Sequence, residues 1–203
     1  MHHVTRLEHG LTVATAEMPH MASVSVGVWV GVGGRHEPAP INGVAHFIEH
    51  MLFKGTRRRS AQRISQDVEG IGGYLNAFTS EEHTCFYSKA LRDRLDDLVD
   101  VLFDMLLHSR FASTDIRRER EVIREEVSMY LDQPQHHVQE LFNEIIWPDH
   151  PLGRPLTGTF ATIERIGRSQ MLGFLHSHYT APALVVAAAG AVHHADVVEA
   201  VRR

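Results

Sequence analysis

Apolar and polar residues alternate along this chain with two clean periods. Period two appears in residues 3–8 and 11–17, around His9-Gly10, and reads as a hairpin. It returns over 23–32, Ser-Val-Ser-Val-Gly-Val-Trp-Val-Gly-Val, a strand ended by Gly33-Gly34. Tyr74 to Thr79 and Thr84 to Leu91 read as two more strands around Ser80-Glu81-Glu82. Residues 183–190 form a sixth, inside the apolar stretch Ala181 to Val192, which is too short to span a membrane. Helical periodicity predicts a helix ending near Phe53, with Asn42 as its cap, and a second over Ala61 to Glu69, capped by Ser60 and stopped by Gly70. A strongly amphipathic helix over 92–108 turns Leu95, Leu98, Val99, Leu102, Phe103 and Leu106 inward. Helices over 115–131, about 135–147 and 169–178 follow, with a Pro- and Gly-rich loop at 148–160, and a last helix starts near His193. Strand hairpins and helix groups are segregated, which predicts an α+β fold with a mixed or antiparallel sheet covered by helices on one side.

The helix before Phe53 carries the candidate chemistry. On it, His46, Glu49 and His50 fall within about 100° of one another. Val44, Phe47, Ile48 and Met51 group on the opposite side, so the helix buries its back and offers one polar face. Two neutral imidazoles on adjacent turns can hold one Zn²⁺, and the glutamate can act as base toward an activated water. This is the inverted order H-x-x-E-H. The chain holds 16 histidines, so the pattern needs a third ligand to gain weight. Adjacent residues point to different faces of a helix, which makes His136-His137 and His193-His194 surface histidines rather than ligand pairs.

The helix over 115–131 supplies that ligand. Ser113 or Thr114 is its expected cap, and its apolar stripe runs through Ile116, Val122, Ile123, Val127 and Tyr130. Glu119 and Glu126, seven residues apart, project into the stripe, whereas Glu121, Glu125, Arg117, Arg118 and Arg124 belong to a solvated face. A carboxylate on a buried face needs a partner or a metal. Glu126 is therefore the third ligand, and Glu119 an auxiliary carboxylate behind it.

Composition removes other classes. Net charge is −5 with histidine neutral, so nothing points to nucleic acid, and the basic run Lys54 to Arg59 is a short solvated loop. The one cysteine, Cys85, excludes an internal disulfide and is a small buried strand residue that fits a reducing compartment. Residues 1–10 are polar and lack the apolar core of a signal peptide.

Three stretches carry a family resemblance: His46-Phe47-Ile48-Glu49-His50-Met51-Leu52-Phe53-Lys54-Gly55-Thr56, then Gly73-Tyr74-Leu75-Asn76-Ala77-Phe78-Thr79, then Glu119-Arg120-Glu121-Val122-Ile123-Arg124-Glu125-Glu126. Together they resemble the N-terminal domain of the M16 (pitrilysin/insulinase) metallopeptidases, of the bacterial and mitochondrial-processing-peptidase beta type. The resemblance implies a LuxS/MPP-like metallohydrolase fold and one Zn²⁺ per chain. It places the distal ligand on Glu126 and the auxiliary catalytic glutamate on Glu119. It also implies substrate contacts from Asn76, Ala77 and Phe78, on a sheet edge to which an extended peptide adds as a strand, and from Phe53 in a hydrophobic pocket. The substrate class is peptide or unfolded polypeptide, in the bacterial cytoplasm, or in the mitochondrial matrix of a eukaryote once a presequence is removed. Family members close two related domains like a clamshell, so residues 1–203 read as one such domain, cut near its C-terminal end. The second domain is expected from elsewhere, in the same polypeptide or as a homologous subunit in a homo- or heterodimer. Two other readings are weaker. A non-catalytic presenting subunit would have lost motif residues, and none is lost. An S-ribosylhomocysteine lyase needs a cysteine ligand and a catalytic cysteine, and one Cys cannot be both.

Overall fold

A computed structural model describes residues 2–203. The strands are β1 (His2–Arg6), β2 (Thr12–Glu17), β3 (Ser23–Val30), β4 (Tyr74–Thr79), β5 (Thr84–Leu91) and β6 (Leu184–Gly190). The helices are α1 (Val44–Leu52), α2 (Ala61–Glu69), α3 (Leu95–His108), α4 (Ser113–Leu131), α5 (Pro134–Ile146), α6 (Phe160–Arg165), α7 (Arg168–His178) and α8 (His194–Arg202). The six strands form one sheet in the order β1-β2-β6-β3-β5-β4. All neighbours are antiparallel except β2 and β6, so the sheet is mixed. The fold is α+β, as the segregated patterns predict.

Alternation along the central strands decides which face is covered. Val24, Val26, Val28 and Val30 of β3, Phe86 and Ala90 of β5, and Val186 and Ala188 of β6 are buried in one core with α1 and α3. The opposite face keeps Trp29, Tyr74, Phe78 and Val185 exposed. Cys85 lies on that open face, the cross-strand partner of both Trp29 and Phe78, whose rings meet edge to face at 5.6 Å. It is buried, and burial pushes its thiol up to about 12.

The helix boundaries correct several expectations. Asn42 does not cap α1. Its side chain donates to Glu37 Oε2 and to the Pro155 carbonyl. The cap is Glu37, which reaches back to accept from the backbone N–H of Gly43 (2.6 Å) and Ala45 (2.7 Å). A carboxylate there also complements the positive end of the helix. Gly43 makes the entry possible: its φ is +92°, and a Cβ would stand 2.5 Å from the Thr157 carbonyl oxygen. Helix α4 starts at Ser113 with Ala112 as its cap, so neither Ser113 nor Thr114 caps it. Val122 leaves the expected stripe and is exposed. The segment after the 148–160 loop holds α6, which the periodicity did not indicate; Thr159 and Thr162 cap its start reciprocally. His194 is not a surface histidine, because its ring nitrogens bond Thr5 (2.7 Å) and Thr15 (2.8 Å).

The Glu37 cap yields a test of what holds α1 in place. Glu37→Ala strands two buried backbone donors and the Asn42 amide, which should lower unfolding free energy by about 2 kcal/mol. Urea denaturation of parent and variant measures it; an unchanged midpoint at unchanged slope would remove Glu37 from this role.

Candidate metal centre

Helix α1 is anchored by its back. Val44, Phe47, Ile48 and Met51 are all buried, as the spacing predicts, and this leaves His46, Glu49 and His50 on the free face. Helix α4 packs across that face. Its inward row places Glu119 in the interior and Glu126 half-buried, while Glu121 and Glu125 remain exposed. The two histidine rings lie 4.5 Å apart between centroids. His46 Nε2 and His50 Nε2 each stand 3.6 Å from Glu126 Oε2. His46, His50 and Glu126 each offer a donor atom within 4.8 Å of the others'.

That spacing fits an ion better than a hydrogen-bonded trio. At 3.6 Å neither nitrogen bonds the carboxylate directly. Ligand bonds of about 2.0–2.1 Å in a tetrahedron put neighbouring donors roughly 3.3 Å apart, close to what is seen. Two imidazoles and a carboxylate are also an ordinary zinc donor set.

The groups around the trio set its electrostatics. His50 Nδ1 bonds Glu119 Oε1 at 2.9 Å, and Lys54 Nζ holds Glu119 Oε2 at 2.6 Å. A carboxylate on Nδ1 fixes the proton there and turns the Nε2 lone pair toward the centre. Burial alone lowers the His50 pKa, but the Glu119 hydrogen bond and the charges of Glu126, Glu119 and Glu49 outweigh it and raise it. Burial pushes the Glu119 carboxyl up, and its bonds to His50 and Lys54 pull it below its ordinary value. His46 has no such partner. Burial, helped by the neighbouring His50, drives its pKa down to about 3, which keeps the imidazole neutral and able to coordinate. Glu49 Oε2 accepts from Thr79 Oγ1 at 2.5 Å. Its carboxyl is raised by burial, with Glu126 adding to this and Thr79 and His50 opposing it.

Strand β4 brings the remaining candidates near. It is an edge strand, paired with β5 along its whole length and with no strand beyond it among the described residues. The Ala77 N–H takes the Asn76 side-chain oxygen at 2.9 Å, and the Asn76 amide donates to the Tyr74 hydroxyl at 2.6 Å. Thr79, which touches Glu49, closes the same strand. Phe78 points to the open face against Trp29. Phe53 follows the last turn of α1 and is half-buried against the core. Two neighbours of the centre, Glu37 and Thr79, had no role assigned from sequence, and the basic run from Lys54 to Arg59, expected to be a solvated loop, is instead tied down by the Lys54–Glu119 and Arg59–Asp104 pairs. For Lys54 a signal existed, since it lies four residues after His50, one further helical step along the same face.

Comparison with known proteins points one way. The family described as insulinase (peptidase family M16) matches residues 12–160. A Mycobacterium leprae protein named an uncharacterized zinc protease is 44% identical over 98% of this chain and 44% of its own length. A probable mitochondrial-processing peptidase beta subunit of Arabidopsis thaliana is 41% identical over 98% of this chain and 38% of its own. The fold matches a Helicobacter pylori protease with a TM-score of 0.95 at 24% identity, covering all of this chain and 49% of that one. An M16-like peptidase structure from Alicyclobacillus acidocaldarius gives 0.90 at 20% identity, over 99% and 48%. The chain thus spans less than half the length of the relatives it matches.

The depressed His46 pKa sets a pH dependence. The unfolded imidazole takes a proton near 6.5 and the folded one only near 3, so metal-free protein loses stability as pH falls between those values. His178, also lowered by burial, adds to this slope, and His50, Glu49 and Glu37, all raised, oppose it. In chelator-treated protein between about pH 6.5 and 5, His46→Gln should therefore flatten the fall in denaturation midpoint relative to the parent, since the other groups are common to both. An identical slope in the variant would contradict a buried, neutral His46.

Proposed function

The chain belongs to peptidase family M16, and from that premise we propose that it is the catalytic domain of a zinc-dependent endopeptidase that cleaves peptides bound in extended form. The observation that carries this reading is the convergence of His46 and His50, each 3.6 Å from Glu126, beside the half-buried Glu49. These three side chains would hold one Zn²⁺, which supplies Lewis acidity toward the scissile carbonyl and lowers the pKa of the attacking water.

The protein's own groups do the rest. Glu49 takes the proton of the attacking water and passes it to the leaving amine. Thr79 occupies one oxygen of Glu49, leaving the other for the proton. Glu119 orients His50 from behind. The β4 edge offers backbone groups to an extended peptide, so affinity comes largely from main-chain hydrogen bonds. There the Ala77 N–H would exchange the Asn76 side chain for a peptide carbonyl. Phe78 and Phe53 would serve as apolar contacts for substrate side chains. A second M16 domain, in the same polypeptide or as a homologous subunit, would complete the chamber and supply further groups at the carbonyl. The single buried cysteine suits a reducing compartment such as the bacterial cytoplasm, and no helix among the described residues is long and apolar enough to cross a membrane. A purely presenting subunit is disfavoured because none of the motif residues His46, Glu49, His50, Glu119 and Glu126 is lost.

Glu49→Gln separates chemistry from binding. Gln keeps the shape and cannot take the proton, so the variant should retain zinc and its melting temperature while losing roughly 10²-fold or more in turnover. Zinc content, thermal melting and cleavage of a quenched peptide, measured in the presence of a second M16 domain, check it. Near-parental turnover would exclude Glu49 as the base.

A further inference from the structure

Lys54 sits in the first loop after α1, and its head group reaches Glu119 Oε2 at 2.6 Å. An exposed Lys–Glu pair is ordinarily worth little. This one differs in three respects. The Glu119 side chain is only 7% exposed. Its other oxygen is already committed to His50 Nδ1 at 2.9 Å. And the loop that carries Lys54 is built rigidly.

The loop departs from α1 with the Lys54 N–H on the Met51 carbonyl. Gly55 then turns it at φ +109°, where a Cβ would stand 2.8 Å from the Arg110 guanidinium. Thr56 and Arg59 both bond Asp104 Oδ2 at 2.7 Å, and Asp104 is buried on α3. Arg59 also holds Asp67 of α2 at 2.9 Å. A buried aspartate thus ties two side chains of this loop to the helix layer, and Lys54 emerges from that tie directly over Glu119.

We infer that Lys54 is a positioning residue for the metal centre: by holding one oxygen of Glu119 it fixes the other on His50, and so fixes the ring that presents Nε2 to the ion. This rests on the zinc reading above. Two effects of removing the ammonium oppose each other, and their sign is diagnostic. Simple Coulomb repulsion says that deleting a positive charge near a dication tightens its binding. Positioning says that freeing Glu119 lets the His50 ring wander and weakens binding, as losing an outer partner of a ligand commonly does.

The measurement is Zn²⁺ affinity by competition with a chromophoric chelator, at one pH, for the parent, Lys54→Met, Lys54→Arg, Glu119→Gln and the Lys54→Met/Glu119→Gln double variant. Thermal melting of each metal-free protein verifies folding, and Lys54→Gln replaces Lys54→Met should the latter not fold. The inference expects Lys54→Met to bind zinc roughly tenfold or more weakly. Lys54→Arg should recover most of the loss, and the double variant should bind no more weakly than Glu119→Gln alone. Lys54→Met binding as tightly as the parent, or more tightly, overturns it, as does an additive loss in the double variant. If the parent itself takes up no zinc, the zinc reading fails and this inference with it; a parent that binds zinc beside an unaffected Lys54→Met overturns the inference alone.

Discussion

Two turns of helix separate Glu119 from Glu126, and the packing of α4 on α1 turns both carboxylates inward. An acidic side chain in that position is costly unless each oxygen finds a partner. Glu119 finds His50 and Lys54. Glu126 finds two imidazole nitrogens, too far for hydrogen bonds and well spaced for a shared ion. The rest of the neighbourhood serves this crossing. The apolar back of α1 holds the histidines toward α4, Glu37 and Gly43 fix where α1 begins, and the loop after α1 returns Lys54 to Glu119.

The same crossing links the centre to the sheet. Strand β4 forms one edge and ends at Thr79, whose hydroxyl meets Glu49. A peptide laid along β4 would thus share a strand with a residue that touches the proposed base, and its register along the edge would decide which bond meets Glu49. The open sheet face, with Trp29, Phe78 and Val185 exposed, leaves apolar area of the kind that marks an interaction surface. The relatives carry more than as much chain again, consistent with the second domain proposed above.

Much of this was legible in the sequence because it is periodic. Period two located β1, β2 and β3, turn-bounded runs located β4 and β5, and a continuous apolar stretch located β6; helical patterning located seven of the eight helices among the described residues and put His46, Glu49 and His50 on one face. The same argument separated Glu119 and Glu126 from Glu121 and Glu125, matching their burial. What stayed hidden depends on contacts distant in sequence or on signals too short to repeat. The Glu37 cap lies outside the helix it stabilises, so no capping pattern reports it. Six residues of α6 cannot show a period, and its reciprocal cap pairs Thr159 with Thr162 rather than with an acid. Val122 left its stripe because it is adjacent to buried Ile123, and successive residues lie about 100° apart on a helix, which puts Val122 at the edge of the stripe. His194 found its threonine partners on β1 and β2, far away in the chain. The roles of Asn76, Ala77, Phe78 and Phe53 came from resemblance alone; their positions are now explicit, two at the sheet edge, one on the open face and one against the core.

Metal stoichiometry in three proteins tests the centre most directly: the parent, Glu126→Gln and Glu125→Gln, each dialysed against excess zinc, then against buffer, and analysed by elemental emission. Glu125 is exposed at the preceding position of the same helix and controls for charge and local helix stability. The account predicts about one zinc per chain in the parent and in Glu125→Gln, and far less than one in Glu126→Gln. Full retention in Glu126→Gln, or loss in Glu125→Gln, would contradict a centre formed by His46, His50 and Glu126.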